Sequence, residues 1–345
     1  MPALKYLTLI FLFFCLCGPV FPHKIVLYLA NLRLQSSNDE LSQSLAALHT
    51  VFLSKHQAYP VFVAYDSRDR AYLTPALRQS LAQQAHATEI PYNEQAGSSR
   101  GTICFVVVSG FHRIPWPSSM YTDVYTDDNP YYARLGYRLM CRFWAHRVFS
   151  QPFMLNVTAY LRLDTDTFLV DMPADPFRIM DHENIGYMAP SMYREDPRTT
   201  AGLWETFLRF ARDEQIHPGG LIPLSMEHQD MYSPQDIWNM AVDEAIDVLY
   251  QREYNLAYYY NNWEASRVDL WTSPVYQRLA RHIDSAGGIF LKRWGDAPIR
   301  TLALHLLRDE LASQRNTSLD PSLFRQYHGL SVYHKILHRT AGAEL

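Results

Sequence analysis

Apolar runs of strand length alternate with helical spacing along the first half of the chain. Segments 24–31 "KIVLYLAN", 60–66 "PVFVAYD" and 103–109 "ICFVVVS" are rich in Val, Ile, Phe and Tyr. Between them, apolar residues recur three and four positions apart, as on one face of a helix. This alternation is typical of βαβ units and predicts an α/β fold built on a mostly parallel sheet with helices on its faces.

Helix start signals accompany this pattern. Asn38 and Asp39 are the expected caps of a helix over 41–52, and Thr74 stands directly before Pro75, where a cap and a first-turn proline belong. The second half is more helical and less regular, with further helices expected after Ser233-Pro234, after Ser273-Pro274 and from Asp296 onward.

The amino terminus predicts entry into the secretory pathway. Lys5 precedes an uncharged apolar segment over 6–21. At about 1.5 Å per residue this segment falls short of a ~30 Å hydrocarbon core, so a cleaved signal peptide and a short signal anchor both stay open. Acceptor sequons at Asn156 and Asn316 agree with a lumenal protein.

The expected organisation is a leader over 1–22, a single domain over 23–335 and a tail over 336–345. Within the domain, 23–177 is expected to bind the nucleotide and 178–335 to form a fused, helical acceptor-side and catalytic half.

Composition narrows the partners. The 345 residues are 48% hydrophobic, enough for a large core, and 31 basic against 35 acidic residues give a formal charge of -4. Because neither sign forms a long run, broad binding to nucleic acid is not expected.

Outside the leader, Cys104 and Cys141 either pair in an oxidising lumen or are small buried residues.

Two acids follow a strand in "YLRLDTDTFLVDMPADPF", residues 160–177. Asp164 and Asp166 come at the end of the fourth apolar strand, and ligands gather at the carboxyl ends of strands in open α/β sheets. Neighbouring carboxylates suit Mg²⁺ or Mn²⁺, which can neutralise a leaving nucleoside diphosphate. The alternative without function is two polar residues that end a strand and cap a turn.

A second reaction fits the same letters. Haloacid-dehalogenase-like phosphatases use an Asp-x-Asp-x-Thr pattern, in which Asp164 would be the nucleophile and Asp166 the acid and base. That pattern normally follows the first strand and needs a downstream Gly-Asp-x-x-x-Asp. Here three strands precede it, and Gly295-Asp296 is completed by Arg300.

Four segments together resemble the α-1,2-mannosyltransferases of glycosyltransferase family 15, type II membrane proteins of the Golgi. They are "GYRLMCRFWAHRVFSQPFM", "YLRLDTDTFLVDMPADPFRIM", "YNLAYYYNNWEASRVDLWTSPVYQRL" and "IDSAGGIFLKRWGDAPIRTLAL". The Arg-Trp-Gly-Asp-Ala-Pro hexapeptide over 293–298 is the most specific of these matches. The resemblance implies a GT-A fold with a Rossmann-like mixed sheet, GDP-mannose as donor, Mn²⁺ as metal and retention of the anomeric configuration.

The resemblance also implies roles for single residues. Asp164 and Asp166 fall on the family's metal-binding Glu and Asp, and His328 is the nearest match to its histidine ligand. Glu264 falls on the proposed nucleophile or oxocarbenium stabiliser. The remaining matches, all expected to line the donor, are Tyr137, Arg138 and Asp296.

Each of these residues also has an ordinary reading. Glu264 could bond neighbouring backbone N–H groups, His328 could be an unremarkable histidine, and Asp296 could cap the helix that follows it. Arg138 and Arg142 could pair with surface acids.

The chain departs from the family pattern in three places, one of which is a longer stretch between Asp166 and Glu264. Glu-Pro-Asp has become Asp-Thr-Asp, which shortens the first ligand by one methylene, and Cys-His-Phe-Trp has become Ala-Tyr-Tyr-Tyr over 257–260. Donor or acceptor could therefore differ from those of the family.

The function expected is transfer of mannose from GDP-mannose to a mannose-terminated glycan in the Golgi lumen, with membrane attachment only through an uncleaved leader. The competing expectations are an inactive, glycan-binding relative and the phosphatase.

Overall fold

The computed structural model describes residues 23–56, 59–92, 101–114, 135–172, 174–226 and 232–309, and the backbone of 315–318 and 325–328. Its strands are β1 (His23–Ala30), β2 (Val61–Asp66), β3 (Thr88–Glu89), β4 (Thr102–Val108), β5 (Val157–Leu163), β6 (Thr167–Asp171), β7 (Ile185–Ala189), β8 (Met192–Arg194), β9 (Ala257–Tyr259), β10 (Trp263–Arg267), β11 (Arg315–Ser318) and β12 (Arg325–His328).

Eight of these strands form one mixed sheet in the order β11-β7-β10-β5-β1-β2-β4-β3. Strand β10 runs antiparallel to β5 and β7, and the other neighbouring pairs in this sheet are parallel. The predicted mostly parallel sheet is confirmed. Two small antiparallel pairs, β6 with β12 and β8 with β9, lie outside it.

The α-helices are α1 (Gln35–Leu48), α2 (Pro75–Gln84), α3 (Leu135–Ala145), α4 (Pro176–Glu183), α5 (Leu203–Asp213), α6 (Pro234–Asn239), α7 (Val242–Tyr250), α8 (Val268–Thr272), α9 (Pro274–Ala286), α10 (Gly288–Leu291) and α11 (Asp296–Leu306). A π-helical turn, His49–Leu53, extends α1, and a 3₁₀ segment, Pro218–Leu224, packs against α11.

Alternation along the strands divides the core into two layers. In β1, Ile25 and Leu27 face one apolar cluster, while Val26 and Tyr28 face the other. Helices α3, α5, α7, α9 and α11 cover the first face, and α1, α2 and α4 cover the second. The central strands are buried on both faces, which is why they read as continuous apolar runs in the sequence.

Most predicted helix starts are confirmed, and one is wrong. Thr74 accepts a hydrogen bond from the Leu77 N–H as a cap. Helix α1 begins at Gln35, ahead of the expected caps, and no side chain caps it. Asn38 lies within this helix, where its buried side-chain amide donates to the Leu32 carbonyl at 3.2 Å.

The question of the two cysteines is resolved in favour of burial, because Cys104 and Cys141 are both free and buried. Burial raises the pKa of the Cys104 thiol to about 12. Among the described residues, none of the helices combines the length and the apolar character needed to cross a membrane. The predicted leader lies outside the described residues.

Candidate active site

The two acids lie where β5 ends, in the middle of the large sheet. The Asp164 N–H donates to the Asn262 carbonyl at 2.9 Å, and the Asp164 carbonyl accepts from the Thr167 N–H at 3.0 Å. These bonds hold a tight turn between β5 and β6. The Asp164 side chain keeps 28% of its surface exposed, and Asp166 is also partly exposed. Both carboxylates therefore lie at a surface edge of the sheet and not in core packing.

A buried arginine, Arg162, forms a salt bridge with Asp164. Arg162 precedes Asp164 by two residues, so both side chains leave β5 on the same face. Its guanidinium is 1% exposed and donates to Asp164 at 3.0 Å and to Asp296 at 2.6 Å. It also lies 4.2 Å above the centre of the Trp144 ring. Arg162 thereby joins the acid of the strand to the acid of the hexapeptide motif.

Asp296 serves this cluster and does not cap its helix. It is the first residue of α11, after Gly295 at the cap position. Its buried carboxylate accepts from Arg162 and, at 2.8 Å, from the side-chain amide of Asn261. The donor-site role of Asp296 stays a prediction, whereas the capping interpretation is not supported, since Gly295 holds the cap position.

Negative charge is concentrated at this edge. Burial, partly offset by Arg162 and reinforced by the charges of Asp166 and Asp296, raises the pKa of Asp164 to about 6. Burial and neighbouring negative charges destabilise the ionised carboxylate, and a nearby cation would stabilise it. Within the described side chains, no three His, Cys, Asp or Glu residues are grouped as a metal site.

The predicted third ligand is placed by its backbone alone. Strand β12 pairs with β6 in antiparallel register, and His328 is opposite Thr167, the residue after Asp166. The chain therefore passes beside the two acids at this histidine. Its side chain lies outside the described part of the structure.

Glu264 lies deeper, at the centre of the sheet. It occupies β10 opposite Arg162 in the register. Its carboxylate is 0% exposed and accepts hydrogen bonds from Tyr160 at 3.0 Å, from Tyr187 at 2.9 Å and from Arg300. The alternative of bonding to neighbouring backbone N–H groups is not what holds it.

Arg300 is equally buried and completes this network. Its guanidinium donates to the Trp144 carbonyl at 2.6 Å and to the Tyr160 hydroxyl at 2.7 Å, and it lies 4.6 Å from the Trp271 ring centre. A charge pair with no exposed surface is stable only when its hydrogen bonds are made in this way.

Helix α3 carries the two predicted donor residues on different sides. Arg138 is buried and donates to the Phe290 carbonyl. Tyr137 is partly buried, and the Arg293 guanidinium lies 4.3 Å from its ring centre. Arg142, on the same helix, pairs with Asp284 at 2.6 Å, as the ordinary interpretation expected.

A cavity of about 270 Å³ opens at the same edge of the sheet as the two acids, and Asp164, Asp166 and Asp296 are not among the residues that line it. It lies at the carboxyl ends of β1 and β2 and is closed on one side by α3, with Asn31, Asp66 and Met140 among its lining residues. Because β1 is the neighbour of β5, the cavity and the two acids share one edge of the sheet.

The sequence patterns gave no functional prediction for Arg162 or Arg300. Arg162 interrupts an apolar strand two residues before Asp164, a position from which an unpaired charge would be expelled from the core. Arg300 was noticed only because it replaces an aspartate of the phosphatase pattern. In both cases a charged residue inside an apolar run was the available signal.

Comparison with known proteins gives a family match over much of this region. The family model described as "Glycolipid 2-alpha-mannosyltransferase" matches residues 118–314. Alpha-1,2 mannosyltransferase KTR1 of Saccharomyces cerevisiae is 30% identical over 182 residues, which cover 51% of this chain and 41% of the relative. O-glycoside alpha-1,2-mannosyltransferase omh1 of Schizosaccharomyces pombe is 28% identical over 175 residues, 50% of this chain and 40% of the relative. The aligned region thus spans about two fifths of each relative's length.

Solved structures share the fold. Core-mannan synthase A (CmsA/Ktr4) of Aspergillus fumigatus, in its Mn/GDP form, superposes with a TM-score of 0.66 at 20% identity, covering 90% of this chain and 76% of that one. The mannosyltransferase Ktr4p of S. cerevisiae in complex with GDP gives 0.66 at 18% identity, covering 90% and 74%. These similarities confirm the predicted GT-A architecture.

Proposed function

Because the chain belongs to the glycolipid 2-alpha-mannosyltransferase family, we propose that it transfers mannose from GDP-mannose to a hydroxyl of a mannoside. The linkage formed is α-1,2, the anomeric configuration is retained, and Mn²⁺ is the cofactor. The observation that carries this proposal is the partly exposed Asp164, joined through buried Arg162 to Asp296 beside a cavity at the same sheet edge. Relatives named as α-1,2-mannosyltransferases and a neighbour solved with Mn and GDP support it.

The metal site consists of Asp164, Asp166 and His328. Two neighbouring carboxylates, with a raised pKa at Asp164, suit a hard divalent cation, and the backbone register brings His328 to the same turn. A Mn²⁺ ion held by these residues would supply Lewis-acid stabilisation of the charge on the leaving diphosphate. Arg162 keeps Asp164 in place and holds Asp296 against the base of the site.

The nucleotide occupies the cavity between β1, β2 and α3. A cleft at the carboxyl ends of parallel strands is the usual ligand site of such sheets. The diphosphate then lies toward β5, with the expected donor-side residues Tyr137 and Asp296 on that side. Arg138 acts indirectly, since its guanidinium is buried against the Phe290 carbonyl and fixes α3 to α10.

The catalytic role of Glu264 stays a prediction. Burial favours neither of its two forms, because a carboxylate with 0% exposure that is paired with Arg300 has no surface from which to contact an oxocarbenium-like state either. Direct attack would require the carboxylate to leave Arg300, Tyr160 and Tyr187 and to reach a surface that it lacks. Glu264 also holds Tyr160, Tyr187 and Arg300 in one buried network.

The setting proposed is the lumen of the secretory pathway, in particular the Golgi, with a mannose-terminated glycan as acceptor. The chain would attach to the membrane as a type II protein through the segment over 6–21 where that segment is retained. The division of the domain at residue 177 also stays a prediction.

The test is a transfer assay with GDP-mannose, methyl α-mannoside and Mn²⁺. The wild-type chain should form α-1,2-mannobioside, identified with its anomeric configuration by proton NMR, and Asp164→Ala should lose at least 100-fold in rate. Release of phosphate from simple phosphoesters would favour the phosphatase instead. Binding of mannoside without metal-dependent release of GDP would favour the inactive relative.

A further inference from the structure

The outer strand pair, defined as the antiparallel strands β8 and β9 together with Tyr260, presents aromatic rings next to the two acids. In its register Tyr193 is directly opposite Tyr258. Directly opposite residues in an antiparallel pair point to the same face. Tyr260 follows β9, and its N–H donates to the Ser191 carbonyl at 2.9 Å, which continues the pairing by one residue.

Two of these rings contact each other at the surface. The centres of the Tyr193 and Tyr260 rings are 5.0 Å apart at an angle of 63°. The Tyr193 side chain is 54% exposed and its neighbour Met192 is 44% exposed. Tyr258 and Tyr260 are each partly buried. A soluble surface seldom presents such rings in a group without a ligand or partner for them.

The opposite face of the outer strand pair packs against the core. Tyr259 is buried, its N–H donates to the Thr301 hydroxyl at 2.9 Å, and its ring centre is 5.6 Å from that of Tyr187. Alternation along β9 therefore sends Tyr259 inward and leaves the faces of Tyr258 and Tyr260 outward. This anchoring to α11 gives the outward rings a rigid support.

The residues that follow the outer strand pair contact the active site. Asn261 and Asn262 follow Tyr260 directly. The Asn261 amide donates to Asp296, and the Asn262 carbonyl accepts from the Asp164 N–H. Burial raises the pKa of Tyr260, and the charges of Asp164 and Asp166 raise it further, which reflects their proximity. The tyrosine rings therefore lie between solvent and the carboxylates of Asp164 and Asp166.

Aromatic rings grouped in this way suit a pyranose. The C–H face of a sugar packs on an aromatic ring, while the sugar hydroxyls and the phenol groups stay hydrated or bond to each other. We propose that Tyr193 and Tyr260 form the platform on which the acceptor pyranose stacks, with its reactive hydroxyl directed toward Asp164. This inference rests on the proposed function, which supplies the acceptor, and adds the residues that select it.

The test compares Tyr193→Ala with Tyr193→Trp in the purified full chain. The KM for methyl α-mannoside should rise about 3- to 10-fold in Tyr193→Ala, because stacking is lost, and should stay near wild type in Tyr193→Trp. Tyr232→Ala is the matched control, since it removes another exposed tyrosine before α6. Circular dichroism melts check that each variant is folded.

A second arm separates this inference from the proposed function. Saturation-transfer NMR measures methyl α-mannoside binding without any donor, and the signal should fall in Tyr193→Ala alone. If the wild-type chain transfers mannose but Tyr193→Ala keeps the wild-type KM, the platform is overturned and the enzyme stands. If the wild type binds mannoside through Tyr193 but transfers nothing, the platform stands and the enzyme does not. Absence of both signals overturns both.

Discussion

At the scale of single residues, the pairing of Glu264 with Arg300 governs the centre of the sheet. Both side chains have 0% exposure. Removing one partner of such a pair leaves a buried charge without compensation, which costs about 3–5 kcal/mol. We therefore expect Arg300→Met to lower the free energy of unfolding by about that amount in urea titrations.

The double variant Glu264→Gln with Arg300→Met supplies the control. Because it leaves no buried charge, its loss should be clearly smaller than the sum of the two single losses. A loss below about 1 kcal/mol for Arg300→Met alone would contradict a structural role for the pair.

Several site residues were predictable because a local pattern marks them. Asp164, Asp166 and Asp296 stand in short motifs next to a strand end or a helix start, where functional polar groups are common. The partners of these acids were not predictable, because Arg162 meets Asp296 and Arg300 meets Glu264 only after distant segments pack together. Sequence spacing carries no information about such contacts.

At the scale of elements, the 3₁₀ segment Pro218–Leu224 fits closely against α11. A Cβ at Gly220 would lie 1.9 Å from the His305 carbonyl oxygen, which is backbone and cannot rotate away. Gly220→Ala should therefore destabilise the chain by about 1–3 kcal/mol through overpacking. Differential scanning fluorimetry or urea unfolding measures this loss.

Gly136→Ala in α3 is the matched control for this prediction. A Cβ there meets nothing within 4 Å, so the same substitution should be neutral or slightly stabilising. Equal melting temperatures for the two variants would show that the segment and α11 do not pack as described.

The element boundaries show how far local signals reach. Thr74 and Ser233 cap their helices as predicted, since the signal and its hydrogen bond lie within one turn. Asn38 has a good capping side chain but is used inside α1, because its amide satisfies the Leu32 carbonyl at the end of the preceding turn. The sequence pattern marks residues 263–267 as part of a functional segment and does not predict a strand there. In the structure they form β10, which pairs with β5 and β7.

At the scale of the whole molecule, stability should depend on pH through buried His146. Burial, partly offset by Asp284 and reinforced by the charges of Arg142 and Arg147, lowers the pKa of His146 to about 4. The unfolded chain has the ordinary pKa near 6.5 and binds the proton more readily. The free energy of unfolding should therefore fall as pH decreases from about 6.5 to 4, by about 1 kcal/mol per unit.

Urea titrations at pH 7 and pH 5 measure this slope, and His146→Asn isolates the contribution of the histidine. The variant should lose less stability than the wild type between the two pH values. An identical loss in both proteins would mean that His146 is not held neutral in the fold.

The central claim is that Asp164 and Asp166 hold a divalent cation that binds the diphosphate of the donor. Isothermal titration calorimetry of GDP, with and without Mn²⁺, tests it most directly, using wild type, Asp166→Asn and the exposed control Asp243→Asn. The account predicts that Mn²⁺ strengthens GDP binding at least 10-fold in wild type and control and has little effect in Asp166→Asn. Equal Mn²⁺ enhancement in all three proteins, or none in wild type, would contradict it.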